Sequence, residues 1–115
     1  MKYTILSTNH KKLTLTDNGI IISREKTMFN AGWEKLIPYK QVISVQLRPC
    51  GKFLNGFIQI QIAGQPSPNH SANSSASESL NSALNDENSI VYAKEMEERA
   101  QKIYNFLNKK ISENL

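Results

Sequence analysis

The 115-residue chain reads as a mainly β protein with one C-terminal helix, an α+β domain built as a small barrel or sandwich capped by that helix. Three observations predict it. Apolar residues alternate with polar ones in short runs over the first sixty-odd residues, which is the period of a half-buried strand. An Asn18-Gly19 pair lies between β-branched runs. The last stretch, from Lys94 to Ile111, places Met96, Ala100, Ile103, Leu107 and Ile111 at spacings of four, three, four and four, one apolar stripe along a helix.

Tyr3–Ser7 reads as the first strand, and Asn9-His10-Lys11-Lys12 as a polar loop after it. Leu13-Thr14-Leu15 alternates, Asp17-Asn18-Gly19 turns, and Ile20-Ile21-Ile22 returns. Asn-Gly in this setting predicts a hairpin with a type I′ turn, in which both central residues take positive φ. Arg24 to Lys35 is less regular, with Met28, Phe29 and Trp33 supplying apolar bulk and Ala31-Gly32 allowing a turn. Leu36-Ile37-Pro38-Tyr39 is a short extended piece that Pro38 confines to a strand end or an edge. From Val42 to Leu47 the alternation predicts another strand, ended by Pro49-Cys50-Gly51-Lys52. Gly56–Ala63 is a further strand, and Ser89–Tyr92 a last one.

Between these last two strands, residues 65–88 change character. Seven of these 24 residues are Ser and five are Asn. Half the tract is thus too polar to build core, and it reads as a mobile loop. The helix after Ser89–Tyr92 carries acid-before-base pairs four apart, Glu95 with Arg99 and Glu98 with Lys102. Its acids cluster early and Lys109 and Lys110 come late, which suits the helix dipole.

Length and composition bound the rest. A chain of 115 residues is a single domain, 1–115. Mean hydropathy is −0.45 and no apolar run approaches the ~20 residues that cross a bilayer. The N-terminus lacks a secretory pattern, and a single cysteine, Cys50, suits a reducing compartment. The expected location is the cytoplasm. Net charge is +4, unevenly spread: residues 1–64 carry nine basic and three acidic groups, giving +6; residues 65–88 give −3; residues 89–115 give +1.

No catalytic set is readable, no cofactor is implied, and the chain is read as a non-enzyme. No Gly-x-Ser-x-Gly elbow occurs, and Gly51-Lys52-Phe53-Leu54-Asn55-Gly56 lacks the Lys-Ser/Thr of a phosphate-binding loop. His10 and His70 are isolated in polar loops, short of the clustered ligands a metal needs. Cys50 has no positioned base near it in sequence. Basic residues with aromatics in a β-barrel suggest nucleic acid, but aromatics are only 8% of the chain and a small core consumes them.

The sequence resembles the bacterial PH-like domains, most closely the small DUF4429-type group. The residues that carry the likeness are the Asp17-Asn18-Gly19 hairpin, the stretch Ile37-Pro38-Tyr39-Lys40-Gln41-Val42-Ile43-Ser44-Val45, the strand start Asn55-Gly56-Phe57-Ile58, and Asn88-Ser89-Ile90-Val91-Tyr92 leading into the final helix. The resemblance spans about Leu13 to Ile111. It implies about seven strands in two roughly orthogonal antiparallel sheets, a partly open barrel plugged by the helix. Its motifs are structural, so they speak for a scaffold rather than a reaction.

The expected function is therefore a binding module. One form is a protein- or peptide-binding adaptor, using an exposed strand edge or a patch around Trp33 and Phe53. The other is an anionic lipid or phosphate site at Lys11, Lys12, Arg24, Lys26, Lys35 and Lys40, motivated by the +6 charge of the β part.

Overall fold

The computed structural model describes residues 4–7, 10–29, 31–64 and 86–114. Among them are seven strands and one α-helix. A first antiparallel sheet is a meander of β1 (Thr4–Leu6), β2 (Lys11–Leu15), β3 (Gly19–Arg24) and β4 (Trp33–Pro38) in that spatial order. A second antiparallel sheet holds β5 (Val42–Arg48), β6 (Gly56–Ile62) and β7 (Ser89–Tyr92), with β6 central. Single 3₁₀ turns at Tyr39–Gln41 and Lys94–Met96 lead into β5 and into α1 (Glu97–Glu113). No ladder joins the two sheets among the described residues, so the barrel is not closed. The expected α+β class and the mainly β architecture with one C-terminal helix both hold.

Strand parity explains the core. Residues two apart share a face, and each strand points one apolar row inward: Leu13 and Leu15, Ile20 and Ile22, Ile58, Ile60 and Ile62, Ile90 and Tyr92. Ala100, Ile103 and Leu107 of α1 close this core. The helix packs chiefly on β5, so its stripe serves as the cap that its spacing predicts. On β6, burial extends to both faces. Phe57 and its cross-strand partner Val91 are buried on the side away from the core.

Three local expectations are corrected. The hairpin at Asp17-Asn18-Gly19 forms, with Leu15 opposite Ile20, but its turn is not type I′. Asp17 and Asn18 do not have positive φ; Gly19, at φ 156°, does. The reason is Thr16, whose hydroxyl accepts hydrogen bonds from the Asn18 and Gly19 amides, both at 3.2 Å, and holds the turn in another form. Gly19 is still required, because a Cβ there would lie 2.3 Å from the Ile37 carbonyl oxygen.

The second correction is β4. It begins at Trp33, three residues before the expected extended piece, and is an edge strand, as Pro38 requires. The third is β5, where the register shifts between Val42 and Ser44. This bulge turns Ile43 outward, half exposed, and lets Val42 and Val45, three apart, both face the core. The helical surface also differs in one pair. Glu98 meets Lys102 at 3.6 Å, whereas Arg99 donates to the Thr4 carbonyl at 2.7 Å and so ties α1 to β1.

Most of the Ser/Asn-rich tract lies outside the described residues. Its last three members do not. Asp86-Glu87-Asn88 form a turn into β7, with Asn88 buried.

Candidate binding site at one end of the first sheet

The inner face of the first sheet changes chemistry along its length. Register places Leu15, Ile20 and Ile37 in one row across β2, β3 and β4. The next inward row is Leu13, Ile22 and Lys35, and the last is Lys11, Arg24 and Trp33. A face that is all hydrocarbon at one end thus ends in three cations and an indole. The sheet positions them by parity: Lys11, Arg24 and Lys35 are each two residues beyond a core position on their own strands, and Trp33 is two beyond Lys35.

Lys11 is the main surprise. It lies in β2 rather than in the loop before it, and is only 3% exposed. Its Nζ donates to the carbonyls of Asp86 and of Ser89, the latter at 3.3 Å, and so pins the turn before β7 to the first sheet. Burial lowers its pKa; Asp86 opposes that shift, while Arg24 and Lys35 add to it. Lys35 Nζ lies 3.1 Å from Glu87 Oε1. The Trp33 ring is half-buried, with Lys35 Nζ 5.7 Å and Lys11 Nζ 6.0 Å from its centroid, within the range of cation–π attraction. Arg24 Nε is buried with no hydrogen-bond partner among the described residues.

The expected basic set therefore divides. Lys11, Arg24 and Lys35 gather around Trp33. Lys12 points to the opposite face of β2 and is exposed. Lys26 is exposed in the β3–β4 loop. Lys40 lies beyond the far end of β4, in the 3₁₀ turn, and does not join them. Phe53 does not pair with Trp33 either. It is 89% exposed in the β5–β6 loop, with Lys52 Nζ 5.8 Å from its ring. That loop lies where β7 finishes, because Gly56 is opposite Tyr92, whereas the cationic corner lies where β7 starts.

Asp86 and Glu87 belong to this corner, although their sequence neighbours are a polar tract with no Lys or Arg in it. Met28 and Phe29, read as apolar bulk, are 91% and 89% exposed at the same end of the first sheet. Residue type does not decide their exposure: β3 ends at Arg24 and β4 starts only at Trp33, so the pair lies in the connection outside the sheet. His10 is exposed, its Nδ1 3.5 Å from Glu25 Oε2, and His70 lies outside the described residues.

A second polar cluster sits at the start of α1. The Glu97 carboxylate accepts hydrogen bonds from the Cys50 amide at 2.7 Å, the Tyr92 hydroxyl at 3.0 Å and Gln101 Nε2 at 2.9 Å. Burial would raise the Glu97 pKa, but these donors outweigh it and the net shift is downward. Burial raises the Cys50 thiol, and Glu97 adds to that. A thiol held protonated is a poor nucleophile, so this cluster reads as a fastening between the β5–β6 loop and the helix.

Among the described residues, no group of three or more His, Cys, Asp or Glu is placed to hold a metal ion, and no helix is long and apolar enough to cross a membrane. No family model matches the chain, and no curated protein or solved structure matches it.

Proposed function

We propose that the chain is a non-enzymatic binding module on a PH-like scaffold, and that its ligand is an oxyanion, a phosphate group foremost, taken at the Lys11–Arg24–Lys35–Trp33 corner. The observation that carries this reading is the buried Arg24 Nε without a hydrogen-bond partner among the described residues, on a strand between those of Lys11 and Lys35. A guanidinium offers five donors in a planar fork that suits phosphate. Glu87, whose side chain is 71% exposed, holds Lys35 only at the rim, and an incoming anion would take its place. Lys11 is already engaged with two carbonyls, so it contributes field rather than a contact.

Trp33 is the sole tryptophan and lies within the corner, so its emission reports on occupancy. Titration with pyrophosphate at low salt should change Trp33 emission saturably. The change should weaken as salt rises and be lost in Arg24→Ala/Lys35→Ala. A wild-type protein that shows no saturable response would end this reading.

A peptide-binding adaptor is the second reading. It is favoured by β4, an edge strand with half-exposed Leu36 on its outer face. A peptide added there would shift the amides of Glu34 and Leu36 rather than the emission of Trp33.

A further inference from the structure

Isolated apolar side chains on a surface are ordinary. The end of the first sheet that carries the cationic corner has an ordered set of them. Met28 and Phe29 are consecutive and almost fully exposed, and Leu6, at the end of β1, is 55% exposed opposite Lys12. The loop that bears Met28 and Phe29 is gathered at its neck. A Cβ on Gly32 would lie 2.9 Å from both the Arg24 carbonyl oxygen and the Lys26 amide nitrogen, so the two arms of the loop touch there. Beyond this neck the pair projects as a tip. Behind it stand Arg24, Lys35 and Trp33; exposed Lys26 lies in the same loop, and exposed Lys12 lies on β2 opposite Ser23.

Charge at this end is mixed, with exposed Lys12 and Lys26 beside acids that mostly have partners. Three of its acids are engaged: Glu25 with His10, Glu87 with Lys35, and Asp86 with the Ser89 hydroxyl. Glu34 lies on the outer face of β4, opposite Ser23.

We infer that this end docks on the surface of an anionic phospholipid bilayer, with Met28 and Phe29 entering the boundary between headgroups and acyl chains. The inference rests on the oxyanion reading, since the phosphate in the corner would then be a lipid headgroup. Two features select a bilayer over a protein partner. A protein must offer a pocket shaped to a protruding Met-Phe pair, whereas a bilayer accepts protruding apolar side chains without shape complementarity. A bilayer also supplies negative charge laterally around the insertion point, where Lys12 and Lys26 stand. Trp33, half-buried at the base of the loop, is of a residue type enriched at membrane interfaces.

The test uses the whole chain and two ligands. Phosphatidylcholine vesicles, with and without added phosphatidylserine, report bilayer docking by co-sedimentation, and pyrophosphate reports the corner alone through Trp33 emission. Met28→Ser/Phe29→Ser removes the tip, and its solvent-exposed positions keep the fold out of question. The expected result is binding to phosphatidylserine-containing vesicles that falls roughly ten- to hundredfold in the double variant, with pyrophosphate binding unchanged. Pyrophosphate binding without vesicle binding would overturn the bilayer inference and leave the oxyanion reading standing. Vesicle binding indifferent to the double variant would overturn the insertion. Failure with both ligands would overturn both.

Discussion

The Glu97 carboxylate accepts the Cys50 amide at 2.7 Å, and through this bond the first turn of the helix is fastened to the loop that joins β5 and β6. The same carboxylate takes the Tyr92 hydroxyl, so one side chain holds helix, loop and β7 together. The helix has no side-chain cap at Met96. Glu97 acts instead at the helix start, where negative charge is favoured by the dipole.

That geometry sets a pH dependence. The Glu97 pKa is lowered by folding, because the net effect of its donors exceeds that of its burial. A carboxyl with a depressed folded pKa adds stability that is fully present above its unfolded value and is lost as pH falls through the folded one. Wild-type thermal stability should therefore fall below about pH 4.5, relative to Glu97→Gln, whose amide does not titrate. Melting curves of the two proteins that stay parallel from neutral pH down to acid would remove Glu97 as the titrating fastener.

Gly56 is fixed by contact. A Cβ there would lie 2.5 Å from the Arg48 carbonyl oxygen and 2.8 Å from the Tyr92 ring and hydroxyl. Gly56→Ala should destabilise by about 1–3 kcal/mol, the usual cost of overpacking. Gly51→Ala, whose Cβ would find ordinary contacts, should be near neutral. Urea denaturation gives both values, and equal midpoints for the two variants would show that the β5–β7 approach relaxes freely.

Adjacent lysines on β2 should behave oppositely. Lys11→Ala removes the charged donor to the Asp86 and Ser89 carbonyls, a loss of about 1–3 kcal/mol. Lys12→Ala, on the exposed face, should fall within about 0.5 kcal/mol of wild type. Equal costs in chemical denaturation would mean that the parity assigned to β2 is wrong.

What could be read in advance follows from which forces act locally. The helix stripe, the hairpin and the final strand are periodic or turn signals, and each appears where expected. The turn form was not readable because Thr16, outside the Asp-Asn-Gly triplet, decides it. Ile43 obeyed the alternation of β5 in sequence but left it in space at a bulge. The candidate site was half legible. Its cations stood out by composition, but Lys11 looks like a loop residue next to His10 and Lys12. Its burial depends on carbonyls 75 and 78 positions away. The exposure of Met28 and Phe29 is not legible, because hydrophobicity is a property of the residue whereas exposure depends on where the strand ends.

The tie from Lys11 to the turn before β7 also bears on the entropy of the connection it terminates. The chain leaves the second sheet after Ile62 and rejoins it at Ser89, an excursion of 26 residues. Closing such an excursion grows only logarithmically with its length, about 0.6 kcal/mol for each doubling. The anchor at Lys11 fixes where the returning chain lands, so the number of residues spent on the way has little leverage on the fold. The closure entropy of this connection thus changes little with its length. A shift of one residue between Asp86 and Ser89 would instead carry both carbonyls away from the ammonium and turn β7 inside out.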